Sequence, residues 1–283
     1  DHQMSHLPKN PYCEACNFGK YFSKHARRRD PALKKKPELP GELVLGDHFI
    51  LGEEGSGLEG QRASLALKDS KSKYSDAMPS KTKGVHDSIN AVKEFMGKKA
   101  MCGFYSDNSK ELKAMAKALT IPHFTATPYR PQSNGEIERE IGLISQGTKT
   151  VQWISGMPHE FWPYASRHHC LSRNVMKGLG GESAWIQWHD GIDFTGKLWP
   201  YGSKICFKVP KQLLKKQGKL KFQADAVVGV FLGYFLQPGG LWTGDYLVAS
   251  LKDFGELDKV HVHRVREVTF PDEVTFPLKE ARD

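Results

Sequence analysis

The sequence predicts an α/β domain built on a mixed sheet, followed by a smaller domain rich in strands. Three observations predict this. After a polar, basic opening, the apolar residues fall into three runs of strand length: Leu43–Leu51, Arg62–Lys68 and Tyr74–Pro79. Helical and extended patterns then alternate as far as Asn174. From Leu198 onward the pattern returns to strands.

The elements follow in order. Gly55, Gly57 and Gly60 make the first connection hairpin-like. Val85–Met96 carries apolar residues at Val85, Ile89, Val92, Phe95 and Met96, a helical period. Met101–Ser106 reads as a strand, Leu112–Leu119 is rich in strong helix formers, and Ile121–Thr125 is the next strand. The loop from Ala126 to Asn134 holds Pro128 and Pro131 and cannot be helical throughout. Asn134 stands where it would cap a helix over Gly135–Ile154, and Glu160–Asn174 reads as another helix. Three strands followed by alternating helix and strand is the order of an RNase H-like domain, with a five-stranded mixed sheet and flanking helices. The C-terminal runs, Leu198–Phe207, Ala226–Tyr234, Tyr246–Val248 and His261–Phe270, predict a small β-barrel-like domain, SH3-like and basic.

At 283 residues the chain suits two or three domains. The longest apolar stretch, Ala226–Leu236, is too short to span a bilayer, so no membrane partner is expected. Asp1-His-Gln-Met opens a polar segment rather than a signal peptide. Five cysteines are sparse and odd in number, which argues against a secreted disulfide scaffold and for a reducing nuclear or cytoplasmic setting. The 41 Lys+Arg against 32 Asp+Glu give +9, a balance that favours a polyanionic partner. Lys20, Lys24, Arg27, Arg28, Arg29, Lys34, Lys35 and Lys36 concentrate that excess, opposed in their segment only by Asp30. A second cluster comprises Lys208, Lys211, Lys215, Lys216, Lys219 and Lys221. Such runs serve either as solvated tethers or as phosphate-tracking segments.

Three acids have settings that single them out. Asp47 lies in Leu-Val-Leu-Gly-Asp47-His-Phe-Ile and Asp107 in Gly-Phe-Tyr-Ser-Asp107-Asn-Ser-Lys-Glu-Leu, each after an apolar strand-like run. Glu138 falls in the first turn of the helix opened by Ser133-Asn134-Gly135. Taken singly, a strand-end aspartate is commonly a solvated turn residue, and an acid in a first helical turn is favoured by the dipole. Together, carboxylates at two strand ends and one helix start can converge on a pair of divalent cations, magnesium or manganese, that clamp the oxygens of a phosphodiester.

The combination resembles the integrase of copia-type long-terminal-repeat retrotransposons, a branch of the retroviral integrase superfamily. Asp47, Asp107 and Glu138 match its Asp-Asp-Glu triad, and Asp107-Asn-Ser-Lys-Glu111-Leu is similar to its Asp-Asn-Gly-x-Glu-Phe signature. Thr127-Pro-Tyr-Arg-Pro-Gln-Ser-Asn134-Gly135-Glu-Ile-Glu138-Arg139 is similar to Pro-Tyr-x-Pro-Gln-x-Asn-Gly-x-x-Glu-Arg. Near the C-terminal end, Ala226–Tyr234 resembles the copia segment Gly-x-Phe-Leu-Gly-Tyr. The resemblance implies a polynucleotidyl transferase in which the triad holds two Mg2+ (or Mn2+) ions for 3′-end processing and strand transfer. Its partners would be double-stranded DNA, at element ends and at the target, and further copies of itself. Tyr129 and Arg130 would lie in the loop that approaches the DNA end, an ordinary surface turn being the alternative.

The match has departures. Asp107 and Glu138 enclose thirty residues, fewer than the family's usual interval by about a turn and a half of helix, all of it lost from the helix after Glu111. Retroviral relatives carry DNA-binding lysines one and two turns beyond the glutamate, where this chain has Gly142 and Ser145.

The N-terminal residues carry separate chemistry. His2-x3-His6-x6-Cys13-x2-Cys16 supplies two imidazoles and two potential thiolates, a tetrahedral set for one Zn2+, a metal-free tail being the alternative. It resembles the His-His-Cys-Cys element that precedes integrase cores, with much less room between the second His and the first Cys. The expected division is a zinc segment over 1–22, a basic linker over 23–41, the core over 42–180 and the β-rich domain over 198–275. Expected DNA contacts are Lys24, Arg27, Arg28, Arg29, Lys34, Lys35, Lys36, Tyr129, Arg130, Lys215 and Lys216. Other residues invite structural readings: Asp69 a turn, His48 a packed or supporting group, Cys102 a buried strand residue, and Trp153, Trp162, Trp185, Trp188 and Trp199 packing aromatics. Adjacent His168, His169 and Cys170 point to different helix faces and cannot chelate together. Two other functions stay open: a catalytically inactive nucleic-acid-binding remnant, and a related RNase H-fold transposase or nuclease.

Overall fold

A computed structural model of the chain describes residues 10, 12, 13, 37–125, 134–177, 181–208, 224–256 and 259–282. Two compact units divide it, Asp1–Lys36 and Pro37–Asp283. In the first, Cys13 closes a turn by donating its N–H to the Asn10 carbonyl at 3.2 Å.

The second unit opens with strands β1 (Val44–Ile50), β2 (Ala63–Asp69) and β3 (Ser75–Ser80). Helix α1 (Val85–Met96), strand β4 (Phe104–Ser106), helix α2 (Lys110–Ala118) and strand β5 (His123–Thr125) follow. The sheet order is β3-β2-β1-β4-β5. β1 runs antiparallel to β2 but parallel to β4, and β4 runs parallel to β5. An antiparallel meander whose first strand also starts a parallel half is the RNase H-like topology that the element order predicts.

Helices α3 (Gly135–Ser155) and α4 (Trp162–Val175) pack on this sheet. Ile137, Ile141 and Ile144 of α3 recur at helical spacing and meet Leu45, Ala66, Ala77 and Cys170 in one apolar cluster. Burying that stripe fixes the rotation of α3 and leaves Glu138, one residue beyond fully buried Ile137, on the outward side. Buried Glu140 adds a polar anchor: Lys68 Nζ lies 3.1 Å from its carboxylate, Arg173 pairs with it, and Ser75 Oγ donates at 2.9 Å. Burial pushes the Glu140 carboxyl up, but Arg173 and Lys68 more than offset this and hold it below its ordinary range.

A short helix α5 (Ala184–Trp188) leads to the second sheet. Its strands are β6 (Lys204–Lys208), β7 (Ala226–Gln237), β8 (Leu241–Ser250), β9 (Val262–Val265) and β10 (Val268–Thr269), ordered β10-β6-β7-β8-β9. All its pairings are antiparallel. β9 and β10 lie at opposite edges yet only Arg266 and Glu267 separate them, so the sheet rolls towards a barrel. This is the β-rich part the sequence predicts.

The two sheets share their core. Tyr74 stacks on Trp188 at 5.1 Å between ring centroids, and Tyr74, Phe95, Trp185 and Trp188 belong to one cluster with Phe231, Tyr234 and Tyr246 of the second sheet. The β7–β8 turn is pressed onto the end of α1. Gly239 N–H donates to the Glu94 carbonyl at 2.7 Å, and a Cβ on Gly97, whose φ is +57°, would stand 2.6 Å from Gly239 N. Only glycine fits there.

Two packing expectations fail. Cys102 is exposed, because β4 begins only at Phe104 and Cys102 lies in the irregular segment before it. Trp153 is 64 % exposed, near the end of α3, with Lys279 Nζ over its ring at 4.7 Å. Its indole meets the Lys279 ammonium rather than the core.

Candidate active site

Strand register brings the two aspartates together. Leu45 of β1 pairs with Tyr105 of β4 in parallel, so Asp47 and Asp107, each two residues on, stand level at the carboxyl end of β4. That edge of a parallel pair is where open α/β sheets bind ligands. Asp107 Oδ1 accepts the Ser109 N–H at 3.1 Å, and Ser109 Oγ in turn caps α2 by accepting from Leu112 N. The turn thus holds Asp107 at the strand end rather than letting it swing into solvent.

Asp47 is half-buried. Its Oδ1 accepts the His48 N–H at 2.8 Å and its Oδ2 accepts Asn134 Nδ2 at 3.1 Å. Burial, then the charge of Asp107, and to a lesser degree that of Glu138, raise its pKa to about 6, against those two hydrogen bonds. Neither of these donors carries a charge, so at Asp47 the charges of Asp107 and Glu138 are opposed by dipoles.

Glu138 sits in the first turn of α3, its N–H bonded to the Asn134 carbonyl at 3.2 Å. Asn134 holds the N-cap position, but its side chain does not cap the helix; it turns to Asp47 instead. That contact reaches across 87 residues of sequence, and local spacing gives no sign of it.

Two histidines flank the site. His48 Nε2 lies 3.1 Å from Ser88 Oγ on α1; burial lowers its pKa, although Glu111 and Asp107 pull upward. His123 Nε2 lies 2.8 Å from Ser106 Oγ, whose hydroxyl donates to the Asp107 carbonyl. Burial, then Lys113, lowers His123. Lys83 and Glu111 pair at 3.2 Å between the starts of α1 and α2. Asp69, by contrast, uses both oxygens locally, on the N–H groups of Gly41, Lys71 and Ser72 and on Ser72 Oγ. His168 bonds the Trp199 carbonyl through Nε2 while Cys170 is buried, so that run forms no ligand set.

Among the described residues, no three His, Cys, Asp or Glu side chains are already drawn together as a metal-holding group. Asp47 is tied to Asn134. The donors nevertheless suit magnesium or manganese, being hard carboxylate oxygens. The Asp47 pKa is raised first by burial and then by the charge of Asp107, and a divalent cation would oppose both.

The remaining expected site residues lie outside the described residues: His2, His6, Cys16, Lys24, Arg27, Arg28, Arg29, Lys34, Lys35, Lys36, Tyr129, Arg130, Lys215 and Lys216. No helix among the described residues is long and apolar enough to cross a membrane.

No protein-family model matches the sequence, and no curated protein matches it. Solved structures do. The chain is similar to the HTLV-2 integrase catalytic core domain in complex with magnesium, at 16% identity and a TM-score of 0.41, covering 54% of this chain and 99% of that one. It is similar to the catalytic core domain of BIV integrase at 18% identity and a TM-score of 0.40, covering 53% and 95%. It is also similar to a chain of the simian T-cell lymphotropic virus intasome in complex with PP2A regulatory subunit B56 gamma, at 16% identity and a TM-score of 0.48, covering 92% and 88%.

Proposed function

We propose that this chain is an integrase of the copia type, which trims the 3′ ends of a double-stranded DNA element and joins them to target DNA. The observation that carries the reading is the setting of Asp47: strand register brings it level with Asp107, and Asn134, at the start of the helix that carries Glu138, hydrogen-bonds it. Asp47, Asp107 and Glu138 would hold two magnesium ions. When bound, these supply Lewis acidity and lower the pKa of a water nucleophile.

The rest of the work belongs to the chain. Asp47 and Asp107 are fixed by strand register and by the Ser109 turn, so little reorganisation is needed as charge develops on a phosphodiester. Glu140, with Lys68, Arg173 and Ser75, fixes the helix that presents Glu138. No covalent enzyme intermediate is needed, because positioning and electrostatics suffice for phosphoryl transfer. In this reading Lys24, Arg27, Arg28, Arg29, Lys34, Lys35, Lys36, Lys215 and Lys216 neutralise DNA phosphates, Tyr129 and Arg130 meet the DNA end, and one zinc ion sits on His2, His6, Cys13 and Cys16. The enzyme would work as a homo-oligomer on DNA in the nucleus, after a cytoplasmic stage.

The test is a strand-transfer assay with a short duplex, a plasmid target and magnesium. Joined products that disappear in Glu138→Gln support the reading. Binding without joining favours an inactive nucleic-acid-binding remnant, and cleavage without joining favours a related nuclease.

A further inference from the structure

Asp107 follows directly on the last strand pair of its edge. Among the described residues β4 and β5 pair in parallel from Phe104 and His123 to Ser106 and Thr125, and β1 meets β4 at Val44–Phe104 and Leu45–Tyr105. A main-chain carbonyl past the end of a ladder still needs a donor. The Asp107 carbonyl takes one from a side chain, because Ser106 Oγ donates to it at 2.9 Å. Ser106 is fully buried, and the same oxygen lies 2.8 Å from His123 Nε2. Register explains the reach: Phe104 and Ser106 share one face of β4, and His123 pairs with Phe104 on that side.

The hydroxyl decides the direction of the second bond. It has one proton, and that proton goes to the Asp107 carbonyl. The oxygen therefore accepts from His123, whose Nε2 carries the hydrogen. Nε2–H exists in one neutral tautomer and in the cation alike, so the arrangement does not depend on a titration. The imidazole also stacks on Phe104, with ring centroids 5.6 Å apart. His123 thus bonds through one atom and packs through its ring face. Asp107 is held at two points as a result, its Oδ1 by the Ser109 N–H at 3.1 Å and its carbonyl by Ser106.

We propose that His123 is a positioning residue for Asp107, acting through the Ser106 hydroxyl to fix the main chain from which the carboxylate projects. This rests on the reading of Asp47, Asp107 and Glu138 as a cation site. His123 touches neither cation nor DNA in this role; it limits the directions in which Asp107 can turn before a cation arrives. Two substitutions separate its bond from its packing. His123→Phe keeps a ring against Phe104 and removes the donor. His123→Gln removes the ring and sets an amide N–H near the place of Nε2.

The experiment is calorimetric titration of the full chain with Mn2+ alone, without DNA, alongside thermal melts of each variant. His123→Phe is expected to weaken Mn2+ binding about tenfold, the lower end of what groups supporting metal ligands contribute. His123→Gln is expected to stay within about threefold of wild type, because the donor survives. Ser106→Ala, which breaks the link at its middle, should match His123→Phe, and the double variant should lose no more than either single one. A His123→Phe chain at wild-type affinity overturns the proposal. So does a His123→Gln chain as weak as His123→Phe, which makes the residue a packing one, and so do losses that add in the double variant. Should His123→Phe fail to melt cooperatively, Ser106→Ala decides, and wild-type affinity there overturns the proposal. A wild-type chain that binds no Mn2+ overturns the triad reading itself and this inference with it, so the wild-type titration distinguishes the two failures.

Discussion

Leu45 and Tyr105 are paired in parallel register, and that one pairing brings Asp47 level with Asp107 across neighbouring strands. A slip of one residue would send one of the two side chains to the other face of the sheet. The site is thus set by strand pairing, and its chemistry follows from the crowding of charge that the pairing enforces.

The first prediction is that removing charge from the triad stabilises the chain while abolishing its activity. The Asp47 carboxyl is raised from 3.8 to about 6, so the folded chain holds this proton more tightly than the unfolded one. Between those values the folded state binds more protons, and the contribution of Asp47 to stability falls as pH rises through that window and stays low above it. At pH 7.5 and without divalent cations, Asp47→Asn should therefore melt about 2–4 °C above wild type. An unchanged or lower melting temperature, measured calorimetrically with chelator present, would show that burial and the neighbouring acids do not disfavour the Asp47 charge.

A second expectation concerns metal and pH. Cations compete with the proton that Asp47 retains, so Mn2+ affinity should rise about tenfold per pH unit up to pH 6 and level off above it. Titrations at pH 5, 6 and 7.5 check this. A flat profile would remove Asp47 from the site.

The third tests how Glu138 is held. Glu140→Ala would leave Arg173 and Lys68 without their buried partner. Because Arg173 is one-third exposed, the expected loss is about 2–4 kcal/mol, below that of a fully buried pair. The native Glu140 contribution has the usual carboxylate sign: present at neutral pH and lost as pH falls through its lowered pKa. Denaturant unfolding at pH 7 and pH 3 should show the difference between wild type and variant shrinking on acidification.

Much of this was legible in the sequence, for identifiable reasons. The first three strands and the helices over Val85–Met96 and Gly135–Ser155 are readable because their apolar residues keep a clean period, and the same runs place Asp47 and Asp107 on or after strands and Glu138 in the first turn of a helix. Asn134 is legible as the N-cap position, but the partner of its side chain lies in a strand far away in sequence. Cys102 is misplaced because Met101–Gly103 extends the apolar run ahead of β4, bonding Gly41 and Val44 through its backbone while the Cys102 side chain stays exposed. The sharing of a core between the two sheets is invisible to local patterning: Tyr74, Trp188 and Tyr234 look like ordinary aromatics until the fold gathers them into one cluster.

The fourth prediction addresses that shared core. Gly97 combines a positive φ with a Cβ position 2.6 Å from Gly239 N, so Gly97→Ala forces the β7–β8 turn away from α1. The combined strain should cost about 1–3 kcal/mol. Hydrogen exchange should locate the loosening at Pro238–Gly240 and the Trp188 indole rather than at the triad. Protection unchanged at that turn would mean that the two sheets are not coupled there.

The central claim is that Asp47, Asp107 and Glu138 gather divalent cations, and an anomalous difference map from crystals grown with Mn2+ tests it most directly. The account predicts a peak in contact with the carboxylates of both Asp47 and Asp107, with Glu138 drawn towards a second. Saturating Mn2+ that leaves no peak between Asp47 and Asp107, in crystals of a chain still able to join DNA ends, would contradict it.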